Sequence, residues 1–189
     1  GPGNFTDYVF SYTDYSSAAE IVYEFIHYFT GLSDYFDKDA ATCIYTGIMT
    51  DTINLTVNSS RKQTFETVAK LLTSDVDKDA VYDHVYNTFS EDRLRLVGYI
   101  LYKKMKVFKE LSLAVIILTQ EDMANFNFKE GDHEGIVNMP LSIEGINSSV
   151  IAIEKKDHIK TSARSKNALD VDQLSRRYFN GGGHKNAAG

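Results

Sequence analysis

Residues 162–189 read SARSKNALDVDQLSRRYFNGGGHKNAAG. The three consecutive glycines, Gly181, Gly182 and Gly183, are out of place inside a helix or strand, where each costs roughly 0.5–1 kcal/mol relative to alanine. They suit a backbone that turns through positive φ or is approached closely by another group. Without Cβ atoms, successive N–H groups can also converge on one concavity and hold an anion. His184 and Lys185 add an imidazole and an ammonium beside those amides, a set of donors fit for a phosphate. A flexible glycine-rich tail is the plain alternative. The basic amphipathic segment DVDQLSRRYFN, which runs straight into the glycines, argues against it.

Working backwards, HIKTSARS and SSVIAIEKK alternate as two strands around a turn at Lys156-Asp157, and the second strand ends at Arg164-Ser165. Arginine grips phosphate in two-pronged fashion, and Ser165 adds a hydroxyl donor. A helix is expected from Asp170 to the glycines. Tyr178 and Phe179 at its end can either stack a base or pack the helix onto the sheet. Further upstream, LSLAVIIL is an apolar run of strand length rich in β-branched residues, and Thr119 with Asp122 has the spacing to cap a short helix, TQEDMANF. Residues 109–189 thus read β-α-α-β-β-α followed by a loop, an α/β unit.

The first 108 residues read as helices. Ser17 and Glu20 have capping-box spacing, followed by an apolar stripe of Ile21, Val22, Phe25, Ile26 and Phe29, with Gly31 as the stop. DKDAATCIYTGIMTDT is apolar nearly all round and is expected to be buried. A carboxylate at the end of a buried apolar element, Asp51, costs several kcal/mol unless a cation or donors compensate it. Three more helices are expected in 61–107, the last marked by Leu94, Val97, Leu101 and Met105 and ending in a basic turn, Lys103, Lys104 and Lys106. His84 lies beside an apolar face and reads as structural.

Charge is spread unevenly. Residues 155–185 carry eight Lys/Arg against three Asp, +5, within a chain of net −6, which leaves −11 elsewhere. A long nucleic acid held by its backbone calls for a broad basic surface. One basic end on an acidic body suits a short or small phosphorylated ligand. The single cysteine, Cys43, forms no intrachain disulfide, and no apolar run approaches the ~20 residues of a membrane span. GPGNFTDYVF has no basic-then-apolar signal pattern, so a cytoplasmic location is the expectation.

The pairing of SARS with GGGHKNAAG across one helix resembles the closing segment of the DHH-associated domain of DHH-family phosphoesterases. TGIMTDT resembles the family's T-G-I-x-T-D-T, and GDHEGIVNMP its G-D-x-E-G-x-V-N-x-P. The resemblance covers nearly the whole chain and is strongest to the bifunctional oligoribonuclease and adenosine-bisphosphate phosphatase branch. It implies that residues 1–108 are the C-terminal part of a Rossmann-like parallel-sheet catalytic domain and 109–189 a smaller substrate-binding domain. It further implies a metal-dependent phosphoesterase with two manganese ions, one held by Asp51. Arg164, Ser165, the Gly181–Gly183 amides and His184 would hold the substrate, with His184 also able to donate to a phosphoryl oxygen as a catalytic group. Substrates would be short RNA or DNA oligonucleotides or phosphorylated nucleotides, with no membrane partner and a homodimer left open. A cyclic-dinucleotide phosphodiesterase and a non-catalytic nucleotide-binding module are the alternatives. Many relatives continue D-T-G, where this chain has Ile53. His133, within GDHEG, is left unassigned.

None of the five histidines stands in a D-H-H, and the D-x-D-A segment is also missing. Gly1-Pro2-Gly3-Asn4-Phe5 resembles the residues that follow that triplet in relatives. The expectation is therefore a fragment of a longer parent, with most metal ligands upstream. Alone it should bind manganese weakly and hydrolyse nothing.

Overall fold

The computed structural model describes residues 7–28, 31–166 and 168–189, so the calls on Gly1–Phe5 and Phe29 fall outside the described residues. Contacts divide the chain into two compact units, Gly1–Thr88 and Phe89–Gly189. That division falls earlier than the expected boundary at 108/109, because the helix expected to close the first domain belongs to the second unit.

The first unit consists of α1 (Ala18–Tyr28), α2 (Lys38–Asp51), α3 (Lys62–Leu72) and α4 (Lys78–Tyr86), with a 3-10 turn at Ser33–Tyr35. No strand occurs among its described residues. Asp37 starts α2 by accepting the Ala40 amide at 2.9 Å. Ala41, Ile44, Tyr45, Ile48 and Met49 then recur at helical spacing and are buried against Tyr23, Val68, Leu71 and Val76. Gly47 lets α1 come close: a Cβ there would stand 2.7 Å from the Ala19 Cβ.

In α1 the expected inward stripe is displaced. Val22 is 49% exposed, whereas Glu20 and Tyr23 are buried. Ser17 Oγ accepts the Glu20 amide at 3.1 Å, as its spacing requires. The Glu20 carboxylate reaches back not to Ser17 but to the Ser16 amide at 3.0 Å, the Ser16 hydroxyl at 2.6 Å and the Thr64 hydroxyl at 3.1 Å. A carboxylate so fully hydrogen-bonded can take an inward position that hydrophobicity alone gives to Ile21 or Val22.

The second unit opens with α5 (Glu91–Tyr99), continues through a π turn at Ile100–Lys104, and passes directly into strand β1 (Met105–Phe108). Met105 and Lys106, expected on the last helical turn, are therefore on a strand paired antiparallel with β2 (Leu113–Leu118), Met105 opposite Ile116. The turn is anchored by Asp122, which accepts from the Tyr99 hydroxyl at 2.7 Å and lies 2.6 Å from the Lys104 ammonium. Burial pushes this carboxyl up, but Lys104, Tyr99 and Thr119 outweigh it and hold it well below the usual carboxylate range.

Helix α6 (Gln120–Ala124) begins with the expected reciprocal capping box of Thr119 and Asp122. The second helix expected after β2 is a 3-10 segment, Ile136–Ser142, which contains Pro140, a residue without an amide to donate. Strand β3 (Ser148–Glu154) lies parallel to β2, and β4 (Ile159–Ser165) returns antiparallel to it as the alternation implies. Helix α7 (Val171–Tyr178) is capped by Asp170, which accepts the Gln173 amide at 3.0 Å. The segment read as a loop is a hairpin, β5 (Gly183–His184) with β6 (Ala187–Ala188). The sheet order is β1-β2-β3-β4-β6-β5, a mixed α/β unit. Ile116, Leu118, Ile151 and Ile153 form its buried face with Leu96, Ile100, Ile136 and Val137. Among the described residues no helix is long and apolar enough to cross a membrane.

Candidate functional site

Residues directly opposite one another in antiparallel strands share a face. Ser149 stands opposite Arg164, Arg164 opposite Ala187, and Ala187 opposite His184. Ser149, Arg164, Ala187 and His184 therefore form one row across four strands. With strands about 4.8 Å apart, Arg164 and His184 start roughly 10 Å apart on the sheet and flank a methyl side chain. The gap over Ala187 is wide enough for a phosphate to sit between a guanidinium and an imidazole.

Arg164 is half-buried, which pushes its guanidinium down, against the pull of the Glu134 carboxylate. One guanidinium N–H donates to the Ala163 carbonyl at 2.9 Å. Glu134 is held in place from α5, where Arg93 donates to the Asp132 and Glu134 carbonyls at 3.1 and 3.0 Å. Ser149 is fully buried, and its hydroxyl has no hydrogen-bond partner among the described residues. No sequence signal singled it out, because only the register of the β3–β4 hairpin puts it beside Arg164.

Ser165 and the three glycines serve differently from what was expected. Ser165 points to the opposite face from Arg164 and is buried. Its hydroxyl donates to the Leu169 carbonyl at 2.7 Å and accepts from the Asn186 side chain at 2.9 Å, which fixes the entry to α7. The glycine amides are already engaged: Gly181 donates to the Ser175 carbonyl, Gly182 to that of Gly189, and Gly183 to Asp172 Oδ1 at 2.7 Å. They form no open cradle in this structure. What the sequence needs there is space. A Cβ at Gly181 would stand 2.0 Å from the Gly189 carbonyl oxygen, and one at Gly183 2.4 Å from that of Ala187.

Phe179 lines a cavity of about 230 Å³ with Val150, Ala163, Arg164, Val171 and Leu174. It therefore packs against the sheet beside Arg164, which lines the same cavity. Tyr178 is exposed, with the Arg177 guanidinium 5.2 Å from its ring centre. His133, unassigned from sequence, is buried, and burial pushes its imidazole down. Its Nε2 lies 3.2 Å from the Lys160 ammonium. His84 is exposed, with Nδ1 2.8 Å from the Ala80 carbonyl.

Asp51 closes α2 and is exposed, as are Cys43 and Thr50 on the same helix. The expected burial of this carboxylate, and the need for a cation that burial creates, are thus absent. Among the described residues no three His, Cys, Asp or Glu side chains are grouped to hold a metal ion. The described residues do not by themselves fit a two-ion centre.

Comparison with known proteins gives the row its context. The DHHA1 domain model matches residues 110–189, the part of the chain that carries strands β2 to β6 of the sheet. A probable bifunctional oligoribonuclease and PAP phosphatase NrnA from Streptococcus mutans is 30% identical over 179 residues, 94% of this chain and 55% of the relative. The chain is similar to DHH-family proteins over nearly all of its length. The bifunctional oligoribonuclease and PAP phosphatase NrnA of Bacillus subtilis is 26% identical with the same coverage. The solved structure of an exopolyphosphatase-related protein from Bacteroides fragilis superposes with a TM-score of 0.93 at 41% identity, covering 100% of this chain and 55% of that one. The chain thus spans about half the length of the DHH-family relatives it matches. Ile53 adopts φ 47, followed by Asn54 at 54 and Leu55 at 62. Glycine is absent from the sequence at a turn whose backbone still demands the left-handed region.

Proposed function

We propose that this protein is a metal-dependent phosphoesterase that acts on short oligonucleotides or 3′-phosphoadenosine 5′-phosphate. The observation that carries the reading is the row Arg164–Ala187–His184 on the DHHA1 sheet. An always-charged guanidinium at one end and an imidazole at the other, over a side chain no larger than methyl, suit one phosphate group with its charge compensated from two sides. Support for the substrate class comes from the Streptococcus and Bacillus relatives, which are described as oligoribonucleases and PAP phosphatases. In this reading Arg164 binds and orients the phosphate, and His184 donates a hydrogen bond to a phosphoryl oxygen. Asp51 is proposed as one carboxylate ligand of a manganese pair, whose remaining ligands are not among the described residues. When bound, such a pair activates water for attack on phosphorus.

The test is manganese-dependent turnover of a 5′-phosphorylated diribonucleotide and of 3′-phosphoadenosine 5′-phosphate by the intact gene product. Hydrolysis of either, lost on chelation, is the expected result. Absence of turnover on both, with no detectable affinity for either, would falsify the proposal.

A further inference from the structure

Of the three glycine amides, two end on backbone carbonyls of Ser175 and Gly189, and these bonds hold the hairpin closed. The third, from Gly183, ends on a side chain. Asp172 Oδ1 accepts it at 2.7 Å, while the two Asp172 oxygens lie 3.0 and 2.9 Å from Arg176 Nε. Strand β5 is the end strand of the sheet, so this amide has no strand partner to satisfy it. The neighbouring His184 adds a favourable electrostatic interaction with the same carboxylate. One backbone amide and one guanidinium on a single anion are donors that a phosphate oxygen also uses.

Resting on the reading of the row as a phosphate site, we propose that Asp172 is a built-in stand-in for phosphate, holding the Gly183 amide and Arg176 until an incoming anion displaces it. A carbonyl of the hairpin cannot be exchanged for a ligand without opening the turn. A carboxylate on a rotatable side chain can be exchanged, since rotamer changes of accessible side chains take picoseconds to nanoseconds. Asp172 is 22% exposed and Arg176 64%, so a solute reaches both. Arg176 also packs over the glycines, its guanidinium 3.2 Å from where a Gly182 Cβ would stand, which keeps it at the exchange point after Asp172 leaves. The alternative is a permanent clip, with Asp172 fixing the turn and never leaving.

The two roles predict opposite signs. The full chain, labelled with ¹⁵N, is titrated with inorganic phosphate and compared with Asp172→Ala, Asp172→Asn and Arg164→Ala. A stand-in gives about tenfold tighter phosphate binding for Asp172→Ala, with the Gly183 amide resonance shifting on titration. Asp172→Asn keeps an acceptor for the amide but loses the competing charge, and binds phosphate more tightly than wild type by a smaller factor. Equal or weaker binding by Asp172→Ala, or by Asp172→Asn should the alanine variant not fold, overturns the proposal. If Arg164→Ala abolishes binding while the Asp172 variants bind no tighter, the row stands and this inference falls. If phosphate binds none of the four proteins, both fall.

Discussion

Two sharp turns in this molecule use glycine in opposite ways. After α2 the chain turns through three residues in the left-handed region, Ile53, Asn54 and Leu55, and none is a glycine. After α7 the left-handed residue is Asn180 at φ 53, and Gly181 and Gly183 are there because carbonyls of Gly189 and Ala187 occupy the space a Cβ would need, while a Cβ at Gly182 would meet only the Arg176 guanidinium at 3.2 Å. A glycine run is thus evidence of crowding as much as of unusual dihedrals. A turn without glycine can still be the strained one. The contrast extends to chemistry. The turn beside Asp51 carries one exposed carboxylate with no grouped ligands among the described residues, whereas the hairpin beside Arg164 and His184 engages all three glycine amides and aligns a guanidinium with an imidazole.

The largest effect expected is at Asp51. If it ligates manganese, Asp51→Asn lowers the turnover of the intact gene product about a thousandfold, roughly 4 kcal/mol of barrier, with phosphate affinity unchanged. Near-normal turnover at saturating manganese breaks the assignment. Arg164→Ala should do the converse, weakening nucleotide monophosphate binding about 10- to 100-fold, as loss of a charge-assisted contact implies. Manganese affinity, measured by calorimetry, should not move, and a joint drop would contradict the separation of roles.

Gly181→Ala tests crowding. The added methyl must displace the Gly189 carbonyl, at a cost of about 1–3 kcal/mol, visible as a lower thermal midpoint and a frayed β5–β6 hairpin. Ile53→Gly tests strain from the other side and should stabilise the first unit by about 1 kcal/mol, because a β-branched residue leaves the left-handed region. An unchanged melting curve for the first, or a loss for the second, would reverse the comparison. The smallest shift is expected from Ser149→Ala: removing a buried hydroxyl without a partner changes stability by less than about 1 kcal/mol, in the stabilising direction.

What could be read from the chain, and what could not, follows from how local the deciding interactions are. The β3–β4 hairpin was legible because its alternation and its Lys-Asp turn lie within one short stretch, and the start of α7 because Asp170 caps it three residues ahead. The position of Arg164 at a strand end came with them. Strand β1 was not legible: Met105 continues the spacing of Val97 and Leu101, and only pairing with Leu113–Ile116 decides for a strand. The inward turn of Glu20 depends on Thr64, far along the chain. Arg164 and His184, singled out from the sequence, lie in one row across the sheet, whereas nothing in the sequence pointed to Ser149 or Asp172. Both owe their places to register or to a contact across a helix, neither of which leaves a pattern in adjacent residues.

The sheet register also sets an order of assembly. Strands β3 and β4 meet across a short turn, so their closure entropy is small and their pairing can form within microseconds. The parallel pairing of Leu113 with Ser148 must instead wait for the whole stretch through α6 and the 3-10 segment to be gathered in. The Ser149–Arg164 half of the row therefore belongs to the early-formed part of this unit. The Ala187–His184 half arrives only when the end of the chain docks on β4. A protein pulse-labelled during refolding should protect the amides of residues 149–164 before those of 182–189, and acquire phosphate affinity only with the later set.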